Sequence, residues 1–133
     1  MTPIHADITK EEDIERMIAE AENRFGKLDI VCNIAGINDL CYPLLDTSDE
    51  MLDRVHDIDL KAPFRISRRA IKGMVERNVK GVILNIGSYA ALRGNHGPSY
   101  SAAKHGLTGL TMSIACGCAK MGMTFTAIAP RAL

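Results

Sequence analysis

Apolar positions along the chain follow two alternating rhythms. Ile14, Met17, Ile18, Ala21 and Phe25 recur at helical spacing on an otherwise charged stretch that ends at Gly26. Thr9 and Glu12 ahead of them form a capping-box pattern, so an amphipathic helix of about four turns is predicted. "LDIVCNIAG" then runs almost wholly apolar to a closing glycine, which suits a strand buried on both faces of a parallel sheet. A second capping-box pattern, Thr47 with Glu50, opens a helical stretch to about Asn78, which Pro63 divides into two helices or kinks. "GVILNIG" is the next buried strand, and residues 87 to 97 form a glycine-bearing loop. A long helical stretch runs from Pro98 to about Met121, and "MTFTAIAP" closes as a third strand.

Strand, helix, strand, helix, strand is the alternation of an α/β fold with a parallel sheet and flanking helices. Its 133 residues suit one domain, 1–133, able to bury about two-thirds of its unfolded surface. No internal repeat, linker or low-complexity segment interrupts it. In such sheets ligands bind in the crevice outside the carboxyl ends of the strands. That directs attention to "CNIAG", "NIGS" and "AIAPR".

Charge removes some functional classes. Sixteen basic residues balance sixteen acidic ones, and neither sign forms a block long enough to track a phosphate backbone or a membrane surface. Nucleic acid and membrane are therefore not expected as partners. "MTPIHADITKEEDI" lacks the pattern of a signal peptide, and a soluble cytoplasmic protein is expected. The four cysteines, Cys32, Cys41, Cys116 and Cys118, lie in apolar or small-residue contexts without CxxC spacing, which fits reduced, buried thiols. No metal site is expected, because Cys116 and Cys118 would point roughly 200° apart on a helix.

The candidate chemistry centres on "YSAAK". On a helix, Tyr100 and Lys104 project from one face a turn apart, with only small residues between them. A nearby ammonium favours a phenolate, so the pair could serve as a general acid/base. The same spacing also fits an ordinary surface pair. Ser88 could cap a turn, Asp7 could serve the helix that opens near Thr9, and Asn33 and Gly36 suit any tight strand-ending turn.

Taken together, "ADIT", "CNIAG", "NIGS", "YSAAK" and "AIAP", in this order and at these separations, resemble the short-chain dehydrogenase/reductases. These are NAD(P)-dependent oxidoreductases on a Rossmann fold, and the likeness covers essentially the whole chain. The resemblance implies Tyr100 as catalytic acid/base, with Lys104 as its ammonium neighbour and a ligand of the nicotinamide ribose. It implies Ser88 as the holder of the substrate oxygen, in a carbonyl or alcohol of small-molecule size. Asp7 and the Ile8 backbone match the adenine contact. Asn33, Ala35 and Gly36 match the turn beside the cofactor, which is NAD or NADP, and Pro130 flanks the nicotinamide. The helices at about 48–78 and 98–121 match those that pair subunits in the family, so a homo-oligomer is implied.

Several positions depart from the pattern. Asp59 stands where the family has its catalytic asparagine, and a carboxylate cannot donate as an amide does. A backbone-carbonyl role for that residue would tolerate the change. Ile34 and Thr126 replace asparagines, and Arg131 follows Pro130 where glycine is usual. The glycine-rich turn that receives the pyrophosphate does not occur ahead of "ADIT", which makes the fold a partial Rossmann one and weak dinucleotide binding an expectation. Two other readings stand beside the oxidoreductase: a weakly active or inactive interaction module of the same lineage, and a flavodoxin-like regulator, which leaves Ser88, Tyr100 and Lys104 unexplained.

Overall fold

The computed structural model describes residues 2–93 and 96–130. Its elements are α1 (Glu11–Phe25), β1 (Ile30–Asn33), α2 (Asp49–His56), α3 (Ala62–Glu76), β2 (Val82–Ile86), α4 (Pro98–Cys118) and β3 (Thr124–Ile128). A π-helical turn, Asp57–Lys61, joins α2 to α3 with helical backbone on both sides, so Pro63 follows directly on a widened turn in which the Ala62 N–H bonds back to Asp57 O. The strands form one parallel sheet in the order β1-β2-β3, with Ile30 beside Val82 and Val82 beside Thr124. This is the expected α/β alternation with helical crossovers.

The core forms where helical stripes meet the sheet. Ile14 and Ile18 of α1, Ile66, Ala70 and Met74 of α3, and Ile83 of β2 close on one another with Cys118 and Met123. Burying side chains such as Ile14 and Ile83 stabilises the fold by about 1.5–3 kcal/mol each. α1 is also fixed to α3 by charge. Glu22, buried on the core-facing side of α1, receives Arg69 Nη2 at 2.8 Å and Arg77 Nη1 at 3.3 Å. Gly73 lies opposite, and a Cβ there would run into the Glu22 carboxylate.

Local differences from the sequence expectation have identifiable causes. Neither capping box forms as predicted. Asp7 accepts the Thr9 N–H and hydroxyl, so α1 begins at Glu11 without a side-chain cap, its first turn carrying Glu11, Glu12 and Asp13 toward the positive end of the dipole. Ser48, one residue after Thr47, caps α2 by accepting from Met51 N, while the Thr47 hydroxyl turns back to Pro43 O. β1 is covered on one face only. α3 packs against β1 while α4 packs against β3, which leaves Ile30 at 62% exposed. For the same reason Cys32 is exposed, as are Cys41 on its loop and Cys116 on the outer side of α4; only Cys118 among the four free thiols is buried. Among the described residues, no helix is long and apolar enough to cross a membrane.

Candidate active site at the carboxyl ends of the strands

The predicted site residues follow the strand ends. Asn33 closes β1 and leads into Ala35 and Gly36. Ser88 lies two residues beyond β2, and Pro130 two beyond β3. Two backbone bonds hold the β2 and β3 exits together, Gly87 N–H to Ile128 O at 2.8 Å and Tyr89 N–H to Pro130 O at 3.2 Å. α4 starts beside them with Tyr100 in its first turn and Lys104 in its second.

Lys104 is the centre of the arrangement. Its ammonium donates to Ile86 O at 3.2 Å, stands 3.2 Å from Asp59 Oδ2 and lies 5.5 Å from the centroid of the Tyr100 ring. Both charged side chains are buried, Lys104 at 5% and Asp59 at 0% exposed. The Asp59 contact is coulombic rather than a hydrogen bond, since Oδ2 has no hydrogen-bond donor. The other oxygen, Oδ1, accepts the Ile37 N–H at 2.8 Å. Asp59 is delivered inward by the π-helical turn, a local widening of the helix often found at functional sites. Gly36 passes close over the pair. A Cβ there would sit 3.0 Å from Asp59 Oδ2 and 3.3 Å from Lys104 Nζ.

The remaining site residues divide by what their side chains already do. Asn33 is turned into the core, where Nδ2 donates to Asn85 Oδ1 at 2.8 Å. Asn85 donates in turn to Thr111 Oγ1 at 2.8 Å, and Thr111 to Leu107 O at 2.8 Å. This buried chain joins β1, β2 and α4 under the site and leaves backbone, rather than the Asn33 side chain, to face a ligand. Ser88 Oγ accepts from Ala90 N at 3.1 Å and caps the short 3-10 turn Tyr89–Ala91. Its hydroxyl proton remains for another acceptor. Asp7 is exposed, and the Thr9 hydroxyl, then the Thr9 N–H, hold its carboxyl below the usual carboxylate range. Ile8 lines a cleft of about 250 Å³ with Met17, Val31, Asn33 and Ala35. Arg131 lies outside the described residues.

Sequence reasoning did not single out Asp39, Asn85 or Thr111. A polar Asn85 inside the apolar run of β2 is a readable signal for a buried network. Asp39 lies in "GINDL", which reads as an ordinary polar loop.

Comparison with known proteins identifies the family and the fold. The family model "short chain dehydrogenase" matches residues 1–133. The chain is 33% identical over 128 residues to 3beta-hydroxysteroid dehydrogenase 2 of Eggerthella lenta, covering 96% of this chain and 49% of that protein. It is 34% identical over 131 residues to (+)-borneol dehydrogenase 2 of Salvia officinalis, covering 97% of this chain and 46% of that one. Among solved structures, 4-hydroxyisoleucine dehydrogenase complexed with NADH superposes with a TM-score of 0.88 at 34% identity, covering 96% of this chain and 56% of that one. Levodione reductase gives 0.89 at 32% identity, covering 94% and 48%. The chain thus belongs to the short-chain dehydrogenase family and carries part of its Rossmann fold. It spans about half the length of the curated relatives it matches.

Proposed function

We propose that the protein is an NAD(P)-dependent oxidoreductase interconverting a carbonyl and an alcohol, with Tyr100 as acid/base. The observation that carries this reading is the buried Lys104 ammonium, held at the sheet's carboxyl edge within 5.5 Å of the Tyr100 ring centroid. Burying a lysine is costly unless it has a partner and a task. The residues fit a nicotinamide cofactor: Gly36 brings bare backbone up to the Lys104–Asp59 pair, and the Ile8–Asn33–Ala35 cleft offers an apolar seat for a base.

A bound nicotinamide would supply or accept the hydride. In reduction, Tyr100 gives its phenolic proton to the substrate oxygen while the Ser88 hydroxyl donates a hydrogen bond to it. Lys104 stabilises the phenolate that remains, and its other N–H donors would be available to the ribose hydroxyls of a cofactor. Oxidation runs the same transfers backwards. Asp59 holds Lys104 and the Ile37 backbone at fixed separation. Pro130, whose carbonyl is tied to Tyr89, shapes the nicotinamide side of the crevice. Asp7, through its exposed turn, contributes at the adenine end.

Exposed apolar side chains on two helices support assembly into a homo-oligomer. Phe64 on α3 and Met112 on α4 are 47% and 68% exposed, on the helices expected to pair subunits. Free, unpaired thiols accord with a reducing, cytoplasmic setting.

Titration of NADH or NADPH against the purified protein tests the reading directly, and the absence of tryptophan keeps the fluorescence background low. Enhancement that Lys104→Ala weakens supports it. Enhancement left unchanged by Lys104→Ala in a folded protein overturns the cofactor role of the lysine.

A further inference from the structure

Tyr100 occupies the third position of α4, ahead of the first intrahelical bond, Ser101 N–H to Gly97 O at 3.0 Å. Its own N–H therefore has no acceptor within the helix. The partner comes from the loop after β1. Asp39, fully buried, accepts the Tyr100 N–H on Oδ2 at 3.0 Å and the Cys41 N–H on Oδ1 at 3.3 Å. No cation is paired with Asp39 among the described residues, so its charge rests on these N–H groups and the positive end of α4.

Two independent features show that the chain is arranged around this contact. Gly97 has an ordinary φ of −62°, so glycine is not required there for backbone freedom. It is required for room: the Asp39 carboxyl occupies the space in which a Cβ would stand. On the other side, Leu40 and Cys41 are consecutive non-glycine residues in the left-handed region, with φ of 57° and 58°. Such a conformation is strained and persists only where its surroundings impose it. The loop is doubled back immediately after the carboxylate it delivers.

From these contacts we infer that Asp39 is a positioning residue for Tyr100. This rests on the acid/base reading of Tyr100. The acid/base pair is anchored at two separate points by one short segment. Ile37 N–H is bonded to Asp59, which holds Lys104, and Asp39, two residues on, holds the backbone of Tyr100. The segment that begins at the proposed cofactor turn, Gly36, thereby sets the offset between phenol and ammonium. Without Asp39, α4 keeps its later turns, and its first turn loses the bond that fixes the tyrosine.

The test needs neither cofactor nor turnover. In the isotope-labelled protein, amide exchange at Tyr100 reports the bond, and the ring resonances of Tyr100 report its place beside Lys104 and the His96 ring, whose centroid is 5.8 Å away. The chain has three tyrosines, so Tyr100→Phe assigns the signal. Asp39→Ala is expected to lower protection at Tyr100 at least tenfold and to shift its ring resonances, with Leu107 and the Tyr89 ring unchanged. Asp39→Asn, which retains an acceptor oxygen, is expected to restore both within about threefold. Gly97→Ala, which displaces the carboxylate without deleting it, is expected to reproduce the Asp39→Ala pattern and serves if that variant does not fold. Unchanged Tyr100 signals in a folded Asp39→Ala or Gly97→Ala variant overturn the inference, as does failure of Asp39→Asn to restore them. A turnover-competent Tyr100→Phe protein would instead remove the acid/base reading while leaving the Asp39 bond intact.

Discussion

Lys104 Nζ and Asp59 Oδ2 stand 3.2 Å apart in the interior, one delivered by the second turn of α4 and the other by a π-helical turn between α2 and α3. The family resemblance implies an asparagine at this position, and on the proposed reading of Tyr100 the carboxylate competes with its phenol for the same ammonium. Asp59→Asn is expected to raise turnover while lowering stability by about 3–5 kcal/mol, since a buried ammonium loses its counter-charge. Initial rates and a urea midpoint on the same preparation check both. Turnover that falls in a protein of unchanged stability would mean the carboxylate itself takes part in the proton transfer.

Tyr100→Phe removes one oxygen and leaves the ring against Lys104. Turnover is expected to fall by about 10²- to 10⁴-fold, the usual range for losing a positioned acid/base. The thermal midpoint is expected to move little, because the ring keeps its cation–π contact and the amide its bond to Asp39. Near-normal turnover would reassign the proton donor.

Much of this was legible before the structure, for a physical reason. Helical and strand patterns survive as long as a face is buried, so α1 followed from apolar spacing and β2 from an apolar run. The stretches holding α3 and α4 followed from a cap pattern and prolines, and the site residues were singled out only by the ordered motifs that resemble a known family. Contacts between distant segments leave no such trace. Nothing in "GINDL" announces that Asp39 will cap a helix that begins at Pro98, and the Asp59–Lys104 pair joins residues 45 positions apart. Caps were misplaced because Ser48 and Thr47 compete for one site and only geometry decides between them. Glu22 lies in the charged stretch between the apolar positions of α1, and nothing in that pattern marks its carboxylate as buried.

That buried carboxylate gives the fold an acid-sensitive element. The Arg69 hydrogen bond, outweighing desolvation, holds the Glu22 carboxyl below its ordinary value of 4.5, with the Arg69 and Arg77 charges adding to the effect. A depressed folded-state value contributes stability that is present above pH 4.5 and is lost as pH falls through the folded value. Glu22→Gln is therefore expected to be less stable than the parent at pH 7 and to show a flatter decline below pH 4.5. Chemical denaturation across pH 3 to 7 checks this, and parallel curves for the two proteins would exclude Glu22 as the source.

The glycines of the helices predict opposite signs for one substitution. Glycine inside a helix is less favourable than alanine by about 0.8–1 kcal/mol, so Gly→Ala stabilises wherever the added methyl meets nothing. Gly109 in α4 is such a position: a Cβ there has no atom within 4 Å, and its expected gain is close to the full propensity difference. Gly73 in α3 is not. Its Cβ would enter the space of the Glu22 carboxylate, which is held in place by Arg69 and Arg77. Relieving the clash means breaking a buried, charge-assisted contact, at a cost of about 1.5–3 kcal/mol for each hydrogen bond lost, which exceeds the propensity gain. Gly73→Ala is therefore expected to lower the urea midpoint and Gly109→Ala to raise it. In a Glu22→Ala background the penalty at Gly73 is expected to shrink, because the methyl then meets Arg69 Nη1, at 3.1 Å, the end of a flexible side chain. A double-mutant cycle measures that coupling, and additivity between the two sites would show that α1 and α3 are not held together through this contact.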